Sequence, residues 1–248
     1  MATEKVKTGI PGMDALLYGG IPKKSIVLLS GAAGSGKSIF GMQFIAEGAE
    51  QFNEKGVFIT FEQDKETIIE QAKLFGWDFE ALEKKGLVML VKAYDPPKME
   101  MLIERVEEKV IRIDRVFSRI EDTLNKFGAQ RVVLDSITSL SMILPPHINS
   151  VEKKGIVASL FNRLREMGVT AMITSELARG EEKWLSRDHI SEFLADGIVI
   201  VKATTMGSTL NRTIEVAKLR RSKMIGALHN FEIIDKKGII VEKPEGIK

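Results

Sequence analysis

An apolar run, Ile26-Val27-Leu28-Leu29, leads into Gly31-Ala32-Ala33-Gly34-Ser35-Gly36-Lys37-Ser38, and this junction constrains the fold more than any other stretch of the chain. The octet satisfies G-x-x-x-x-G-K-[ST], in which small residues let the backbone curl around an anion with its N–H groups turned inward. Ile39 continues into a helix whose N-terminal end adds partial positive charge. The spacing therefore predicts a buried strand, a phosphate-binding loop over Gly31 to Ile39, and a helix from about Lys37 to Gln51. Lys37 is expected to meet the β- and γ-phosphates of a nucleotide, and Ser38 to hold Mg²⁺. A chance glycine-rich turn would not carry eight positions in register between strand and helix.

With 248 residues the chain can bury one substantial core, so a single domain over 1–248 is expected. Its 44% hydrophobic and 28% charged residues exclude a disordered chain. A formal net charge of +2 gives no bulk field for nucleic acid or membrane. The absence of cysteine removes disulfides, thiolate catalysis and cysteine-based metal sites together. There is neither a leader-like start nor an apolar run of spanning length, which makes a cytoplasmic location without membrane attachment the expectation.

Strand and helix patterns alternate onward: strand Gly56 to Phe61, helix Lys65 to Phe75, strand Leu87 to Val91, a long helical stretch, and strand Arg131 to Leu134 ending at Asp135. Helical spacing over Val151 to Met167 and a strand over Val169 to Thr174 follow. The order predicts an α/β fold, a mostly parallel central sheet with helices on both faces. From Gly197 the texture changes to β-branched runs at 198–201, 212–218, 231–234 and 239–241, expected to extend the sheet as antiparallel C-terminal strands. Within Met99 to Phe127, Leu102, Val106, Val110, Ile113, Phe117, Ile120, Leu124 and Phe127 form a narrow helical stripe after Asp95-Pro96-Pro97. One helix here would be about 40 Å long. Two helices broken near Arg112 and covering the sheet fit the same spacing.

Asp135 ends an apolar strand, as an acid that holds Mg²⁺ opposite the phosphates would. Glu62, just after the next strand beyond the loop, is the candidate to polarise an attacking water. By pattern alone it could equally open a turn and cap the following helix with Asp64. Gln63 beside it can hold water but cannot accept a proton as a carboxylate does.

The segment Thr8-Gly9-Ile10-Pro11-Gly12-Met13-Asp14, the phosphate loop, Phe61-Glu62-Gln63 and Leu134-Asp135-Ser136 together resemble the KaiC-like branch of the RecA superfamily over nearly the whole chain. The resemblance implies a RecA-like phosphate-loop ATPase core, ATP bound between neighbouring subunits and a homo-oligomeric, six-membered ring. Glu62 then matches the first of the family's paired catalytic glutamates, whereas Gln63 departs from the second, which implies slow hydrolysis. Lys218 and Arg220, in Lys218-Leu219-Arg220, match the segment whose cations reach the adjoining subunit's γ-phosphate; without the resemblance a solvated basic strand edge would be preferred. Thr174-Ser175-Glu176 resembles the polar sensor at a strand end. Asp188-His189-Ile190-Ser191-Glu192 resembles the segment that carries autophosphorylated serine and threonine, with Glu192 in place of the threonine.

The leading expectation is a slow, regulatory ATPase ring with a protein partner. A DNA-binding recombinase or repair accessory is the alternative, through 144–154 and 177–189, which carry Lys153, Lys154, Arg179, Lys183, Trp184 and Arg187. Glu152, Glu181, Glu182 and Asp188 dilute that charge.

Overall fold

Side chains of a strand point alternately to opposite faces, so a strand apolar at every position must be covered on both sides. The central strands obey this rule in a computed structural model that describes residues 3–93, 106–144, 148–177, 185–206 and 209–243. In chain order these hold β1 (Lys5–Val6), α1 (Met13–Leu16), β2 (Ile21–Pro22), β3 (Ile26–Gly31), α2 (Lys37–Phe52), β4 (Gly56–Thr60), α3 (Lys65–Leu74), α4 (Phe79–Lys84) and β5 (Val88–Lys92). Then come α5 (Val106–Phe127), β6 (Arg131–Asp135), α6 (Ile137–Ile143), α7 (Ser150–Met167), β7 (Thr170–Glu176), α8 (Ser191–Leu194), β8 (Gly197–Met206), β9 (Thr209–Leu219), β10 (His229–Ile234) and β11 (Gly238–Val241).

Nine strands form one sheet in the order β11-β10-β9-β8-β3-β7-β6-β4-β5. Val27, Leu29, Phe58 and Val133 pack with α2, α3 and α4 on one face. Ile26, Leu28, Val57, Ile59, Val132 and Leu134 pack with α5, α6 and α7 on the other. The α/β architecture read from the alternation is the one observed.

Three expectations change. The C-terminal strands were expected to be antiparallel, but β8 runs parallel to β3 and completes the parallel core; the antiparallel extension begins with β9. The physical reason is that, between the carboxyl end of β7 and the start of β8, the chain is back at the bottom of β3 after α8, where Asp196 N donates to Ile26 O at 2.8 Å. Second, α5 is continuous through Arg112, and its Ile113, Phe117, Ile120 and Leu124 are buried against the sheet. Arg163 of α7 clamps it by ion pairs to Asp114 at 2.5 Å and Glu121 at 2.8 Å. The part of the stripe before Val106 lies outside the described residues. Third, β7 runs two residues past the expected end at Thr174, so the polar trio 174–176 closes the strand.

Helix α7 shows how local sequence sets boundaries. The Asn149 side chain accepts from Val151 N and Glu152 N, Glu152 answers to the Asn149 N–H, and Gly168 in the left-handed region ends the helix.

Candidate functional site

Parallel strands in register bring their carboxyl ends to one edge of the sheet, where an open α/β sheet leaves its ligand crevice. Thr60 pairs with Asp135, and Leu29 pairs with Thr174. Two residues further, Gly31 stands opposite Glu176. The turns leaving β3, β4, β6 and β7 therefore converge, and one cavity is lined by Ala33, Gly34, Lys37, Ser38, Glu62 and Asp135, among others.

Gly34 and Gly36 have φ of 76° and 102°, a region that side chains with a Cβ rarely adopt, which explains glycine at both bends of the loop. Gly36 is the N-cap of α2, with Phe40 N donating to Gly36 O at 2.9 Å. Lys37 Nζ donates to Gly31 O at 2.8 Å and Ala32 O at 2.9 Å. Burial pushes the Lys37 ammonium below its ordinary range, while Glu176, Asp135 and Glu62 pull it back. The buried Ser35 hydroxyl has no hydrogen-bond partner in this structure, a free polar group inside the loop.

Burial also raises the Asp135 carboxyl above the usual range, opposed by hydrogen bonds from Thr174 and Ser38. Thr174 Oγ1 donates to Asp135 Oδ1 at 2.5 Å. Among the described residues no cluster of three or more acids or histidines could hold a metal ion alone. The Ser38 hydroxyl hydrogen-bonds the Asp135 carboxylate, so two oxygen donors of the kind that Mg²⁺ takes together with phosphates and water stand side by side at the loop.

Glu62 and Gln63 follow Thr60, whose Oγ1 accepts from both of their backbone N–H groups at 3.2 and 3.0 Å. Ser136 caps α6, and the hydroxyls of Ser136, at 3.4 Å, and Ser139 donate to Glu62 Oε1. Sequence reasoning did not pick out Ser139. The available signal was Ser136 at a strand-to-helix junction with a second hydroxyl three residues on, one helical turn away.

Lys218 and Arg220 lie elsewhere. Lys218 pairs with Ile198, which pairs with Leu28, three residues before Gly31, and Arg220 N donates to Asp196 O at the level of Ile26. The two sit about 10 and 16 Å down the sheet from the loop, and β9 is two strand spacings of about 4.8 Å to the side of β3. Their side chains face α8: Lys218 Nζ donates to Glu192 O at 3.0 Å, and Arg220 stands 3.8 Å from Asp196. Ser191 is fully buried, its hydroxyl donating to Asp188 Oδ2 at 2.5 Å. Burial and the charge of Asp188 raise the Glu192 carboxyl. Lys153, Lys154 and Arg187 rim a separate cavity floored by Ile137, Leu140, Leu144 and Val157. Arg179, Lys183 and Trp184 lie outside the described residues. Among those described, no helix is long and apolar enough to cross a membrane.

A phosphate loop after a central parallel strand, with an acid closing a strand two places away, defines an ATP-binding protein of the RecA superfamily. The profile of the family described as "ATPase: KaiC" matches residues 6–246. Circadian clock protein KaiC3 of Synechocystis is 35% identical over 96% of this chain and 45% of its own length. The chain thus spans about half of the clock proteins that it matches, 43% in the Synechococcus elongatus case. A UPF0273 protein of Thermotoga maritima is 33% identical over 98% of both chains. The crystal structure of a KaiC-like protein from Pyrococcus horikoshii superposes with a TM-score of 0.82 at 32% identity, covering 97% of this chain and 99% of the other. The chain belongs to the KaiC ATPase family.

Proposed function

We propose that this chain is a slow, Mg²⁺-dependent ATPase that works as a homo-oligomeric ring, six-membered as the family resemblance implies, with each site completed by a neighbouring subunit. The loop amides of 31–36 and Lys37 bind the phosphates, Ser38 and Asp135 hold the metal, and Glu62, oriented by Ser136 and Ser139, polarises the attacking water. Mg²⁺ bound there would neutralise charge on the β- and γ-phosphates. Lys218 and Arg220 act on the adjoining subunit's γ-phosphate.

The observation that carries this reading is the separation of Lys218 and Arg220 from their own Lys37. Cations at the far end of the sheet cannot serve the loop of the same chain. They serve catalysis only when delivered across an interface, where they stabilise charge in phosphoryl transfer. Gln63 beside Glu62 supports low turnover, because an amide accepts no proton. Low turnover with nucleotide-dependent assembly suits a regulatory role toward a protein partner.

Light scattering with and without Mg-ATP, with phosphate release followed in the same samples, tests the reading. A nucleotide-stabilised hexamer releasing phosphate slowly, with release lost in Lys37→Ala, is the expected result. A monomer that turns ATP over at the same rate would overturn the shared site. Salt-sensitive capture of single-stranded DNA would move the assignment to the accessory-ATPase alternative.

A further inference from the structure

Three carboxylates, not two, line the cavity that holds Lys37. Asp135 and Glu62 have roles above, whereas Glu176 takes no part in the proposed hydrolysis. Yet Glu176 lines the same cavity as Ala33, Gly34, Lys37 and Ser38. Its position is fixed by the sheet: β7 pairs with β3 so that Glu176 stands beside Gly31, the first residue of the loop. Two further bonds hold the strand end. Leu177 N donates to Gly31 O at 3.1 Å, and Glu176 N donates to Thr138 Oγ1 of α6 at 2.9 Å. Both use backbone, which leaves the Glu176 carboxylate to act by its charge.

A polyphosphate entering the loop needs that same ammonium. It meets Glu176 as a like charge in a half-buried site, where screening is weaker than in water. A divalent cation between Ser38 and Asp135 offsets the repulsion. A metal-free nucleotide has no such compensation.

We propose that Glu176 is a specificity residue of the nucleotide site, whose carboxylate makes the phosphate loop reject metal-free polyphosphate and accept the Mg²⁺ complex. The inference rests on the nucleotide-site reading above and adds a reason for a third acid in a site built for anions. Replacing Glu176 by glutamine keeps the side-chain size and both backbone bonds while removing the charge.

The test is the affinity of a fluorescent N-methylanthraniloyl ATP, titrated in excess Mg²⁺ and separately in EDTA, for the wild type, Glu176→Gln and Glu176→Asp. Glu176→Gln is expected to bind the metal-free nucleotide about tenfold tighter than the wild type, with a smaller change for the Mg²⁺ complex. Glu176→Asp should keep the wild-type ratio of the two affinities, and the gain in Glu176→Gln should shrink as salt rises. Thermal melting by circular dichroism checks that each variant is folded, and Glu176→Ala removes the same charge should the glutamine variant fail to fold. An unchanged ratio in a folded, nucleotide-binding charge-removal variant overturns the proposal. A wild-type chain that binds no nucleotide even with Mg²⁺ would instead refute the nucleotide site itself, and this inference with it.

Discussion

Gly48 lies within α2, where alanine ordinarily stabilises a helix by about 1 kcal/mol over glycine. Here the sign should reverse. A Cβ on Gly48 would stand 2.4 Å from Arg131 Nε, 2.5 Å from Cδ and 2.7 Å from Cζ. Arg131 is fully buried and cannot easily yield. Its Nε donates to Glu54 at 2.6 Å, its Nη1 donates to Phe44 O at 3.1 Å, and the guanidinium lies 4.7 Å from the Phe44 ring centroid. Overpacking costs about 1–3 kcal/mol, and separating a buried charge from its partner about 3–5 kcal/mol. With the helix-propensity gain set against a displaced guanidinium, Gly48→Ala should destabilise the fold by about 3 kcal/mol. In a chain of this size that lowers the melting temperature by roughly 6–12 °C. Urea unfolding should show a lower midpoint at constant m, and the double variant Gly48→Ala/Arg131→Met should lose less than the sum of the singles, because both act on one contact. A single variant as stable as wild type, or more stable, would refute the reasoning that Arg131 is immobile.

Glu62→Gln should keep ATP bound while slowing phosphate release by about 100-fold or more, the usual scale of a general base; single-turnover release at the wild-type rate would assign the water to another residue. Lys218→Ala and Arg220→Ala should each lose hydrolysis while retaining nucleotide affinity, and mixing either with Lys37→Ala should restore part of the phosphate release. Mass spectrometry that finds mixed rings without restored activity would remove the shared site. The raised Glu192 carboxyl makes its ionised form a stability cost to the folded state. For such a group the stabilising contribution is complete below the unfolded pKa and is lost as pH rises through the folded one. Glu192→Gln, which can still accept from Ser186, should therefore melt higher than wild type at neutral pH. The gap should close as pH falls toward the ordinary carboxylate range, and a gap that widens in acid would contradict the assignment.

The phosphate loop was legible because everything it needs is local: glycines where φ must be positive, a lysine and a serine at fixed offsets, an apolar run before and a helix after. Alternation of strand and helix likewise gave the class of fold, and Asp135 at the end of its strand followed from the same pattern. The surroundings of Glu62 were not legible in the same way: its carboxylate meets Ser136 and Ser139 only because β4 and β6 lie in register. No spacing along the chain announces that Glu176 stands beside Gly31, nearly 150 residues apart in order, or that Lys218 lies three residues down the sheet from its own loop and bonds Glu192 O. The parallel direction of β8 was equally invisible, because a β-branched run looks the same whichever way its neighbour runs. Short-range chemistry was thus fixed by residue type and spacing, which act within a turn or two of backbone. The partners of each acid and cation were decided by strand order and register, which emerge only when distant segments bury their apolar faces together.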